Sequence, residues 1–168
     1  MFNQQIMKII YNNIIPFRGF VAMLTIFILW IRKEYKGDKR LNAQFINHEK
    51  IHSYQQIETW VTSIVITFLV CLLTELSFWW MLVTPAIPLL IYVLCWIAEI
   101  ALPPYDSAYR NICFESEAIN NEANPGYLKS RRLFTFKFLK YISNKKYPYI
   151  PHSERGKLND YDRVFENR

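Results

Sequence analysis

Hydrophobic positions along the chain fall into runs of different period and length. Gly19–Ile31 (GFVAMLTIFILWI) is an apolar run bounded by Arg18 on one side and Arg32 and Lys33 on the other. It is short for a span and rich in β-branched and aromatic residues. It therefore predicts a short N-terminal β-hairpin, buried strand or re-entrant segment in preference to a span over Ile14–Ile31. From Leu41 to Trp60, polar and apolar residues interleave without Pro or Gly, which predicts a helix that Asn42 can cap. Trp60–Leu73 is then apolar apart from Thr and Ser, with Ile57 extending it, and Leu76–Leu102 is interrupted by Pro85, Pro88 and Glu99. A spanning helix needs ~20 residues, so the pair reads as a transmembrane helical hairpin turning near Glu75–Trp80. Trp60, Trp79, Trp80, Tyr92 and Trp96 are its candidate interfacial aromatics. After the turn signal Asn124-Pro125-Gly126, Tyr127–Ile142 alternates Leu133, Phe134, Phe136 and Phe138 with Lys129, Arg131, Arg132, Lys137 and Lys140. That mixture predicts an amphipathic helix lying on an anionic membrane surface or on the protein's own core. Residues 143–168 are polar, contain Pro148 and Pro151, and read as a tail after a single membrane-embedded domain over 1–142.

Charge sharpens this picture. Between Ile51 and Tyr109 there is no Lys or Arg, and all 20 basic residues lie on either side. The net charge of +6 thus describes two basic flanks around an apolar middle. With 52% apolar residues and only 4 glycines, disordered and collagen-like classes are excluded. A basic-free stretch of this length fits a bilayer better than one very apolar soluble core, and no nucleic-acid partner is expected. By the positive-inside rule both flanks face the cytoplasm, with the chain integral to the inner (cytoplasmic) membrane. Cys71, Cys95 and Cys113 show no paired spacing and read as ordinary thiols. The N-terminus does not read as a secretory signal, because Asn12, Asn13, Pro16 and Arg18 interrupt the apolar region it would need.

The segment Leu41–Trp60 contains His48-Glu49-Lys50-Ile51-His52, an HExxH motif. Residues four apart share a helix face, so two imidazoles can meet one Zn²⁺ at ~2.0–2.1 Å. Glu49, adjacent to a ligand in sequence, is suited instead to take a proton from water that the metal acidifies. The bland alternative is a pair of surface histidines on a charged helix. A catalytic zinc site needs a third protein ligand, and Tyr109–Glu122 offers Glu115, Glu117 and Glu122 on a second expected helix. At 100° per residue Asn111, Glu115, Ala118 and Glu122 share a face, and Glu117 points away from Glu115. Glu122 lies ~10 Å beyond Glu115 along the axis, so the two cannot both bind one ion. Glu99, near the end of the second span, is a costly position for a carboxylate and a candidate for a role near the metal. Arg110 and Tyr109 could stabilise an oxyanion or anchor a helix end.

His48 to His52 followed by Gln55 and Gln56 resembles the HExxHxxQQ signature of gluzincin-type metallopeptidase-like domains. Phe114-Glu115-Ser116-Glu117-Ala118 resembles the E-x-x-A-D segment that carries the Glu ligand in membrane gluzincins of the CAAX prenyl protease class. The chain is also similar to a family of small bacterial membrane proteins of unassigned function sharing NHEKIH and YRNI-x-FE-x-EA segments. The resemblance implies His48, His52 and Glu115 as zinc ligands and Glu49 as base. It also implies that Leu24–Ile31 is a strand aligning an extended peptide. Ile119 stands where the larger family has Asp, a departure in the support of a ligating histidine. Glu122, Glu99, Asn111 and Arg110 are the expected supporting residues around the ligands.

The function expected is a membrane-bound zinc hydrolase, a metallopeptidase acting on a peptide or protein substrate at the cytoplasmic face. The alternative is a non-catalytic, zinc-stabilised membrane protein with a structural or regulatory role. A lipid, amide or ester hydrolase sharing the same metal is the further rival.

Overall fold

The computed structural model describes residues 7–17, 20–101 and 108–142. The expected tail over 143–168 lies outside the described residues, as do Arg18 and Gly19.

Three short strands open the chain: β1 (Lys8–Asn12), β2 (Ala22–Thr25) and β3 (Ile28–Arg32). The sheet order is β1-β3-β2, with β1 parallel to β3 and β2 antiparallel to it. Within the apolar run, β2 and β3 form a hairpin through Ile26–Phe27, and a span over Ile14–Ile31 is excluded. The strand expected over Leu24–Ile31 is divided at that turn. Alternation explains which face is covered: Leu29 and Ile31 are fully buried, while Ile28 and Trp30, which alternate with them, are half-buried. Val21, Leu29, Ile31, Tyr35 and Phe45 form a cluster that seats the sheet on the next helix, with Leu41 and Ile46 at its margin.

That helix, α1 (Ala43–Leu73), runs 31 residues without a break, ~46 Å of rise. Asn42 caps it as expected, its side-chain oxygen accepting from the Phe45 N–H at 3.0 Å. Its first half packs on the sheet and on later helices. Its second half presents Val65, Ile66, Leu69 and Leu72 to the outside. After Thr74 the chain turns into a 3₁₀ helix, Phe78–Ala86, and then α2 (Ile87–Ile100). Pro85 and Pro88 lack the N–H an α-helix would use, and Pro88 falls in the first turn of α2, where that donor is not missed. Ala43–Leu73 and Phe78–Ile100 are each long and apolar enough to cross a membrane, and only 22% and 11% of their most apolar windows are buried.

The returning chain forms α3 (Ala108–Asn111), α4 (Cys113–Asn121) and α5 (Tyr127–Ser130), followed by a 3₁₀ turn at Lys137–Tyr141. The helix expected across Tyr109–Glu122 is broken at Ile112, whose backbone is extended at φ −54°, ψ 130°. The amphipathic helix expected over Tyr127–Ile142 does not form. It stops after Ser130, where Arg131 turns into the interior to meet two buried carboxylates, and Phe134 and Phe136 adopt positive φ. Phe138 and Tyr141 then fold back onto Ile112 and Phe114, so this segment packs on the protein's own core.

Candidate metal centre

α1 and α4 cross so that His48, His52 and Glu115 converge. Their potential ligand atoms lie within 4.8 Å of one another. The four-residue spacing on α1 sets the two imidazoles edge to face, with ring centroids 4.6 Å apart and planes at 80°. Nε2 of His48 lies 3.0 Å from Nε2 of His52, and each faces a Glu115 oxygen at 3.3 Å. The two 3.3 Å contacts go to different oxygens, Oε2 for His48 and Oε1 for His52. Bonds of ~2.0–2.1 Å at tetrahedral angles would put ligand atoms ~3.3 Å apart, so these separations are of the order that a shared ion needs. Ala118, fully buried one turn beyond Glu115, and Ile51 form the small contact that lets the helices approach.

The hydrogen bonds behind the rings set their tautomers. His48 Nδ1 lies 2.7 Å from Glu122 Oε2, and Glu122 also accepts from Gln44 Nε2 at 2.7 Å. His52 Nδ1 lies 2.8 Å from Gln55 Oε1. A carboxylate and an amide carbonyl only accept, so both Nδ1 atoms carry the proton and both Nε2 lone pairs point into the triangle. Two lone pairs 3.0 Å apart require a cation or a shared proton between them. An imidazole–imidazole–carboxylate donor set, each ring held from behind, could hold a metal ion.

Glu115 is buried, and burial works against its ionisation. The His52 and His48 imidazoles overcome this and hold its carboxyl well below the usual carboxylate range. Tyr92, on α2, donates to Glu115 Oε1 at 2.7 Å, and the Tyr109 hydroxyl joins the same pair. Glu49 is 8% exposed and has no hydrogen-bond partner among the described residues. Burial pushes its carboxyl above the ordinary range, with His48 and His52 pulling the other way.

Not every expected residue joins the site. Glu99 sits near the Cys95 and Cys113 thiols and is not part of the triangle. Asn111 precedes the break at Ile112, so the shared-face count does not carry across to it, and among the described residues its buried Nδ2 has no hydrogen-bond partner. The Arg110 carbonyl accepts from Ser116 Oγ at 2.9 Å. Glu117 points away from Glu115 as expected, yet it is not idle: it receives Gln55 Nε2 at 2.9 Å and Arg131 Nε at 2.7 Å. Tyr92, Gln44, Glu58 and Arg131 are the participants the sequence reading missed. Tyr92 carried one usable signal, a hydroxyl in an apolar helix that needs a partner when buried.

The hairpin is fastened to the same helix. Ser53 Oγ donates to the Ile26 carbonyl, Gln56 Nε2 donates to the Leu24 carbonyl at 3.2 Å, and Gln56 Oε1 accepts from the Ile26 N–H at 2.5 Å. These bonds hold the turn although Ile26 is at φ 49°, a strained value for a β-branched residue. The β2 strand is thereby set beside the HExxH helix. No protein-family model, curated protein or solved structure matches this chain.

Proposed function

We propose that this protein is a membrane-bound zinc hydrolase, a metallopeptidase working at the cytoplasmic membrane face. The observation that carries the reading is the convergence of His48, His52 and Glu115 with the buried carboxylate of Glu49 beside it, which has no hydrogen-bond partner among the described residues. His48, His52 and Glu115 would hold the ion. When bound, zinc supplies a Lewis acid that polarises a carbonyl and acidifies water. Glu49 takes the proton of the attacking water and later delivers it to the leaving amine, which balances the hydrolysis of an amide. Glu122 and Gln55 keep the two imidazoles in the ligating tautomer. β2, fastened by Gln56 and Ser53, offers a strand along which an extended peptide could pair.

The outward-facing apolar surface of the two long helices supports insertion in the inner membrane, since a soluble core would cover it. Basic residues on both flanks favour a cytoplasmic site. His52 precedes Trp60 by eight residues, ~12 Å of helix, so the ion would sit just outside the hydrocarbon.

The test is Glu49→Gln, which removes the base and leaves the ligands. Hydrolysis should fall ~10²-fold or more with zinc retained, and uncleaved substrates should accumulate in a proteome comparison. A Glu49→Gln strain with full biological function would refute the enzyme and favour a zinc-stabilised structural protein.

A further inference from the structure

Beside the metal centre lies a buried charge network whose hydrogen bonds can run only one way. Arg131 is 3% exposed and bridges two fully buried carboxylates. Its Nη1 and Nη2 reach the Glu58 oxygens at 3.0 and 2.9 Å, and its Nε reaches Glu117 Oε1 at 2.7 Å. Tyr127 adds a donor to the same Glu117 oxygen at 2.6 Å. Arg is always protonated and donates only, so Glu117 beside it is an acceptor. The Gln55 side chain facing Glu117 Oε2 must then present its NH₂. It does so, with Nε2 at 2.9 Å from Glu117 Oε2 and at 3.0 Å from the Phe114 carbonyl. Both amide protons are used, and the Gln55 carbonyl oxygen is left facing His52 Nδ1 at 2.8 Å. That oxygen obliges Nδ1 to carry the proton and leaves the Nε2 lone pair for the ion.

We propose that Arg131 is a positioning residue of the metal centre: it orients Glu117, and through Gln55 it fixes the tautomer and ring direction of His52. Among the described residues Arg131 bonds none of the three ligands and not Glu49. The inference rests on reading His48, His52 and Glu115 as zinc ligands. It also distinguishes the two histidines. His48 is held directly by a carboxylate, whereas His52 is held through an amide that Glu117 and the Phe114 carbonyl orient together. Lys cannot replace Arg here, because one ammonium cannot bridge Glu58 and Glu117 with a planar fork.

The test is a double-mutant cycle on the purified full-length chain, reading Zn²⁺ affinity by chelator competition and site geometry by the visible spectrum of bound Co²⁺. Outer partners of ligating histidines contribute about 10–100-fold in metal affinity. Arg131→Lys should weaken Zn²⁺ binding by about tenfold in the wild-type background and by nothing further in a Gln55→Leu background. Unchanged affinity in the wild-type background, or the same loss in both, overturns the proposal. If Arg131→Lys fails to fold, the isosteric Glu117→Gln serves. It replaces one of the two acceptors that hold the Gln55 NH₂ away from His52, leaving the Phe114 carbonyl, and should also weaken binding by about tenfold. Wild-type affinity in Glu117→Gln is equally fatal. A wild-type chain that binds no Zn²⁺ refutes the metal centre itself, whereas wild-type binding with unaffected variants refutes the role of Arg131 alone.

Discussion

Replacing Glu122 with Ala removes the acceptor behind His48 and leaves all three proposed ligands in place. The contact is short, 2.7 Å from His48 Nδ1 to Glu122 Oε2, between side chains only 2% and 10% exposed. A buried hydrogen bond to a charged group contributes about 1.5–3 kcal/mol, which converts to roughly 10- to 150-fold in a binding constant. Glu122→Ala should therefore weaken Zn²⁺ by about one to two orders of magnitude, in line with the loss typical of a carboxylate behind a ligating histidine. Glu122→Gln should cost less, about tenfold at most, because its amide oxygen can still accept from Nδ1 while the Gln44 amide turns to follow it. Chelator competition on the purified variants gives both numbers. The Co²⁺ spectrum should keep its tetrahedral intensity, since the ligand set is unchanged. Glu115→Ala and His48→Ala, by contrast, should abolish binding. Wild-type affinity in Glu122→Ala would refute the supporting role. A loss as complete as that of His48→Ala would mean that Glu122 is itself a ligand.

Arg131→Met should destabilise the fold by about 3–5 kcal/mol, since it strands Glu58 and Glu117 as unpaired buried charges. Combining it with Glu58→Gln and Glu117→Gln should restore most of that loss in a thermal melt of the detergent-solubilised protein, and no recovery would refute the electrostatic origin. Reporter fusions after Arg40 and after Lys129 should both report cytoplasm, with the Thr74–Ser77 turn on the far side, and a far-side report from either would refute the hairpin.

Local pattern was enough for some of these features. The Asn42 cap, the unbroken helix beyond it, the apolar hairpin and the face shared by His48 and His52 each depend on spacing within one element. Glu115 on α4 and Glu122, which caps its C-terminus two turns on, were legible for the same reason. Features that depend on distant pairing were not. β1 (Lys8–Asn12) is a short, weakly patterned strand, stabilised by its parallel partner β3 rather than by its own sequence. Tyr127–Ile142 carries an amphipathic composition that predicts a helix, but a buried carboxylate pair on α1 and α4 draws Arg131 inward and ends it. That partnership spans 73 residues between Glu58 and Arg131 and leaves no trace in local periodicity. Asn111 was misplaced by one extended residue, Ile112, which resets the helical phase between α3 and α4.

In the proposed hydrolase the His48, His52 and Glu115 side chains together hold zinc. Elemental analysis of the purified full-length protein tests it most directly, with the His48→Ala/His52→Ala double variant as reference. About one equivalent of zinc per chain is expected in the wild type and in Glu49→Gln, and none above background in the double variant. Equal metal content in wild type and double variant would mean that these histidines do not hold the ion.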